Sequence, residues 1–142
     1  MTSPDTPPVV LYACVHNSGR SVAAKLLTEH YAGGRLEVRS AGSEPTGSVN
    51  AEITAVLSER GISTGSETPT RLTAGVVENA DVVVSMGCGE TCPIFPGKRY
   101  LDWDVEDPAG RDRKTVRRIV DEIDRRVRKL LVELGVERPT ET

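Results

Sequence analysis

Aromatic residues are scarce in this 142-residue chain: they make up only 4% of it, with one Trp, one Phe and three Tyr. A pocket walled by several rings, of the kind that grips a large flat ligand, is therefore not expected. Long apolar runs are also missing, and nothing approaches the ~20 residues needed to span a bilayer, so no membrane association is expected. The opening MTSPDTPPVV has no basic region followed by an apolar stretch. No secretory signal is expected, and the cytoplasm is the expected compartment. The cysteines number three, too few and too odd for a disulfide scaffold, which points to reduced thiols with chemistry to do. Lys and Arg do not dominate either: the formal net charge is −3, which argues against a binder of nucleic-acid backbone.

What is present begins with residues 10–22, VLYACVHNSGRSV. An apolar run ends at Cys14, and a short Gly/Ser/Asn loop leads to Arg20 and Ser21, where a helical pattern opens. A strand-to-helix turn leaves backbone N–H groups without partners, and such groups cradle anions. Asn17 and Gly19 tolerate the unusual backbone angles a cradle needs, and Arg20 offers a planar fork matched to two oxygens of a phosphate-like group. Val15, His16, Asn17, Ser18, Gly19, Arg20 and Ser21 are thus the expected oxyanion-binding residues, with the backbone of His16 serving the anion while its side chain points outward. The same field favours a thiolate at Cys14, and Ser21 can add a hydroxyl hydrogen bond to the sulfur. A lone cysteine at a strand end is usually an inert filler. The whole run from Cys14 to Ser21, in strand–loop–helix context, favours a nucleophile.

Punctuation along the chain alternates strand and helix signals. Strand 8–14 is followed by helix 20–32, ended by Gly33-Gly34, and Leu36 to Ala41 alternates as a strand. A second helix spans 50–60 and stops at Gly61. The polar stretch 62–73 reads as a loop, 74–79 as a short helix, Asp81 to Met86 as a buried parallel strand and 98–102 as a fourth strand. The last helix, about 112–135, carries Val116, Ile119, Val120, Ile123, Val127, Leu130 and Leu134 on one stripe. The opposite face mixes Lys and Arg with Asp112, Asp121, Glu122 and Asp124, the pattern of a solvated surface. This alternation predicts an α/β fold: a three-layer sandwich with a four-stranded parallel sheet flanked by helices. A single domain over 8–136 is expected, with disordered ends at 1–7 and 137–142.

Ligands of such sheets bind at the carboxyl ends of strands where the strand order reverses. Cys14 ends one strand and Met86-Gly87-Cys88 ends another, so both cysteines can reach one rim. Cys88 and Cys92 are four residues apart, about 6 Å if helical, a separation a disulfide can bridge after local rearrangement. With His16 they make only three candidate zinc ligands where four are usual, so redox chemistry is favoured and neither a metal nor another cofactor is expected. Asp107, before Pro108, also has the makings of the N-cap of the last helix.

The loop CVHNSGRS resembles the phosphate-binding loop shared by low-molecular-weight tyrosine phosphatases and the arsenate reductases of the same fold. Asp107-Pro108-Ala109-Gly110 sits where that family carries its general acid, and Cys14, Cys88 and Cys92 match the three cysteines of the thioredoxin-coupled reductases. The resemblance implies that Cys14 attacks arsenate held by Arg20 and the loop amides, with Asp107 protonating the departing oxygen. It further implies that Cys88 attacks Cys14, that Cys92 attacks Cys88, and that thioredoxin resets the bridge in a monomeric enzyme that phosphate or sulfate would inhibit by competition. Two features depart from the family pattern: the segment between Cys88 and Cys92 is short, and Lys25 stands where some members carry a Glu that helps hold potassium, so no potassium site of that form is expected. The alternatives are a phosphatase using the same Cys14, Arg20 and Asp107, a reductase coupled to mycothiol or glutaredoxin, and an oxyanion binder without turnover. Phosphotyrosine enzymes of this fold follow Asp-Pro with aromatic residues; Ala109 and Gly110 stand there instead.

Overall fold

In a computed structural model of the chain, the structure describes residues 8–45, 47–65, 67–87 and 97–136. The terminal segments 1–7 and 137–142, expected to be disordered, lie outside the described residues, as do Cys88 and Cys92. Four parallel strands form one sheet: β1 (Val9–Cys14), β2 (Glu37–Gly42), β3 (Val82–Met86) and β4 (Arg99–Asp102), in the spatial order β2-β1-β3-β4. The helices are α1 (Arg20–Ala32), α2 (Ala51–Glu59), α3 (Ala74–Glu78) and α4 (Arg113–Leu134). The elements follow the hydrophobic periods within a residue or two, so the parallel α/β fold stands as expected.

Side-chain alternation along β1 builds the layers. Val10, Tyr12 and Cys14 face a large core shared with Val22 and Leu27 of α1, Ile53 and Leu57 of α2, and Val116, Ile123 and Val127 of α4. Leu11 faces a smaller core with Ala41, Val83 and Val77 of α3. Every residue of β1 from Val10 to Cys14 is at most 2% exposed, as a strand covered on both faces requires. The α4 stripe is buried from Val116 to Leu130, with Leu134 partly buried against the core. Its charged face resolves into ion pairs: Arg113 with Glu52, Arg117 with Glu59, and Arg125 and Arg126 with Glu122.

Caps set the helix ends. Asn50 accepts hydrogen bonds from the N–H groups of Glu52 and Ile53 at 2.8 and 3.1 Å, and Thr73 caps α3 through Val76. α4 is capped by Asp112, which accepts from the Thr115 N–H at 2.9 Å, and not by Asp107. The reason is local: the chain turns after Pro108, with Arg111 N–H bonded to the Pro108 carbonyl and Gly110 at φ 73°, so no helix can start at Asp107. Gly33, at φ 64°, ends α1 into a short 3₁₀ turn over Gly33–Arg35.

From β1 the chain runs outward to β2 and then returns to β3 on the other side of β1. The strand order therefore reverses between β1 and β3. Register pairs Cys14 with Met86 there, which puts both on the carboxyl rim at one level.

Candidate active site

The loop between β1 and α1 is held from outside. Its carbonyls at Cys14, Val15 and Ser18 accept hydrogen bonds from the N–H groups of Ser43, Glu44 and Asn50, at 3.1, 2.7 and 2.7 Å. Among the described residues every peptide bond is trans, so the N–H across each plane points the opposite way. The amides of His16 and Gly19 therefore point away from Glu44 and Asn50, and both residues line a cavity together with Cys14, Ser18, Arg20 and Asn50. Gly42, at the end of β2, makes the close packing possible, since a Cβ there would stand 2.6 Å from the Val15 carbonyl oxygen and 2.8 Å from the Asn17 nitrogen.

Asn17 is the keystone. It is fully buried and adopts φ 51°, the only non-glycine residue with positive φ among the described residues. Its backbone N–H lies 3.2 Å from Cys14 Sγ. Its Oδ1 accepts the Thr70 backbone N–H at 2.7 Å, and its Nδ2 donates to Ser21 Oγ at 2.7 Å. Ser21 Oγ in turn stands 2.9 Å from Cys14 Sγ. The protons of this chain are ordered from one end. A backbone N–H at Thr70 can only donate, so Oδ1 faces it and the amide NH₂ faces Ser21; the serine oxygen accepts there and its own hydrogen is left for the sulfur. Cys14, a free and buried thiol, thus meets two donors at its sulfur, the Asn17 N–H and the Ser21 hydroxyl.

Arg20 opens α1, a helix whose first turn carries no acidic residue and whose N-cap, Gly19, makes no side-chain cap. One guanidinium nitrogen donates to the Val105 carbonyl at 3.1 Å, and another lies 3.9 Å from the Asp107 carboxylate. The rest of the fork stays available to an anion. Gly87 leaves room for it: a Cβ at that position, which has φ 92°, would stand 2.8 Å from an Arg20 nitrogen. Asp107 is about half exposed and its other oxygen accepts the Ala109 N–H at 3.0 Å. Pro108 brings this segment onto the loop, against Gly19. The structure thus places Cys14, Arg20 and Asp107 around one cavity, with His16 exposed on it and Ser21, fully buried, against the Cys14 sulfur. Sequence reasoning did not find Thr70, Val105, Gly42, Gly87 or Asn50 as parts of this site; Asn50 was read only as the first residue of the second helix.

A strand-ended cysteine, an anion loop and an arginine at the head of the next helix, on a parallel sheet, define an α/β protein of the phosphatase-like kind. Residues 9–140 match the family model described as low molecular weight phosphotyrosine protein phosphatase, and the chain belongs to that family. It is similar to a solved thioredoxin-dependent arsenate reductase of Corynebacterium glutamicum, with 44% identity and a TM-score of 0.83 over 94% of this chain and 64% of that one. This chain therefore spans less than two thirds of that relative's length. A solved arsenate reductase from Archaeoglobus fulgidus is 34% identical with a TM-score of 0.75, covering 87% of this chain and 98% of that one. Arsenate reductase 1 of Bacillus cereus is 32% identical over 124 residues, 84% of this chain and 91% of the relative. Among the described residues no helix is long and apolar enough to cross a membrane.

Proposed function

We propose that the chain is an arsenate reductase that couples a Cys14 thiolate to a disulfide relay through Cys88 and Cys92. The observation that carries this reading is the end of β3. Met86 pairs in register with Cys14, and Gly87 lies against Arg20, so the residue before Cys88 already touches the anion-binding arginine. Cys88 follows directly in the sequence, and a purely hydrolytic site needs no second thiol.

Arsenate binds with its oxygens on the loop amides and the Arg20 fork. The Cys14 thiolate forms a sulfur–arsenic bond as Asp107 gives a proton to the departing oxygen, which leaves as water. Cys88 as thiolate then attacks the Cys14 sulfur: a sulfur–sulfur bond forms, and the electron pair of the sulfur–arsenic bond goes to arsenic, releasing arsenite. Cys92 attacks Cys88 and frees Cys14, and thioredoxin supplies the two electrons that reduce the Cys88–Cys92 bridge. Phosphate and sulfate compete for the same cradle. Among the described residues no Phe, Tyr or Trp lines the cavity, which favours a small inorganic oxyanion over an aryl phosphate.

The test is arsenate-dependent NADPH consumption with thioredoxin and thioredoxin reductase, run beside hydrolysis of a small aryl phosphate and repeated with Cys88→Ser and Cys92→Ser. Sustained turnover lost in both variants supports the three-cysteine relay. Phosphate release untouched by either substitution makes the protein a phosphatase. Turnover only with mycothiol or glutaredoxin replaces the thioredoxin step.

A further inference from the structure

Behind the anion loop, residues 67–72 pass from α2 toward α3 without helical or strand structure beyond one bridge, Gly42 with Arg71. This strap supplies the Thr70 N–H that orients Asn17, and its backbone is stitched to Gly42 at both Thr70 and Leu72. Those backbone bonds hold its Thr70–Leu72 end, and the end at Glu67 is held by a side-chain anchor. Lys25 of α1 provides it: its Nζ lies 2.9 Å from both carboxylate oxygens of Glu67 and 3.6 Å from Glu29. The Lys25 and Glu67 side chains are only 17% and 11% exposed, so the pair is largely shielded from solvent, where the loss of either partner is felt most. Lys25 is also one helical turn from Ser21, on the same face of α1.

We propose that the Lys25–Glu67 pair is a positioning device for the nucleophile, clamping the strap so that Thr70 sets the amide of Asn17 and, through Ser21, the hydrogen bond to Cys14. Two routes then run from α1 to one sulfur: a direct one through Ser21, and an indirect one through Lys25, Glu67, Thr70 and Asn17. The second holds the first in its proton order. The inference rests on the reading of residues 14–21 as an oxyanion loop with Cys14 as nucleophile.

It is tested in full-length protein carrying Cys88→Ser and Cys92→Ser, so that Cys14 is the only thiol, by following its alkylation with iodoacetamide and the protection that inorganic phosphate gives. Lys25→Met and Glu67→Gln are each expected to slow alkylation and raise the phosphate Kd about fivefold or more, while Lys25→Arg, which keeps the charge beside Glu29 and Glu67, stays within about twofold of the parent. Rates and phosphate affinity that survive both substitutions while only the melting temperature falls would show a merely structural pair and overturn the inference. Phosphate that fails to protect Cys14 in the parent overturns the anion-loop reading as well. Should the single variants not fold, hydrogen exchange at the Thr70 amide decides the matter: reciprocity requires phosphate to slow it, and no change rejects the coupling.

Discussion

The Ser21 hydroxyl stands 2.9 Å from the Cys14 sulfur, with both side chains buried, and accepts the Asn17 amide on its other side. Ser21→Ala removes one donor from the sulfur and strands the buried Nδ2 of Asn17. We expect slower alkylation of Cys14 together with a loss of about 1–3 kcal/mol in unfolding free energy, read by urea denaturation. A variant as reactive and as stable as the parent would mean that the serine plays no part in activating the thiol.

Asn17→Asp is the sharper substitution. Its carboxylate still accepts from Thr70 but has no hydrogen to give, so Ser21 turns its own hydrogen toward the carboxylate and away from Cys14. The sulfur loses a charge-assisted hydrogen bond and gains a negative neighbour, about 1.5–3 kcal/mol for the bond alone, or roughly ten- to hundredfold in rate. Single-turnover reduction of arsenate measures it, with circular dichroism to show that the fold is kept.

Gly19 lies under Pro108, and an added Cβ would stand 2.8 Å from the proline Cγ. The contact with the proline ring is the obstacle that this substitution meets first. Gly19→Ala should lift the Asp107 segment off the loop and lower the rate of the step that needs a proton, with little change in phosphate affinity. Equal losses in rate and affinity would place the effect on the loop itself.

Gly42→Ala is expected to be far more damaging than Gly19→Ala, because its Cβ would meet backbone atoms of Val15 and Asn17 that cannot step aside. Phosphate should cease to raise the melting temperature of this variant.

Hydrogen bonds from the Thr115 side chain, then its backbone N–H, hold the Asp112 carboxyl below its ordinary value of 3.8. A carboxyl depressed in the folded state contributes stability that is complete above its unfolded value and is lost as pH falls through the folded one. Asp112→Asn keeps an acceptor for the cap but no charge. The melting temperature of the parent should exceed that of the variant near pH 7, and the difference should shrink once pH falls below 3.8.

Local signals were enough for the elements and for the loop that joins the first two. Periods of two and of three to four residues marked the strands and helices, glycine and proline marked their ends, and the run from Cys14 to Ser21 marked a candidate anion site because its residues are contiguous and their chemistry is local. The helix cap at Asp112 went unrecognised because Asp107 offered the same residue type, and the turn at Gly110 that separates them depends on backbone angles. What only the tertiary structure decided is everything that reaches the loop from afar. Thr70 meets Asn17 across 53 residues and Val105 meets Arg20 across 85, contacts with no periodic trace because they depend on the order of the strands. The same holds for Gly42 and Gly87, whose missing side chains matter only for what the folded chain packs against them. Residue chemistry marked the candidate reacting groups, and the reversal of strand order between β1 and β3 brought together the backbone around them.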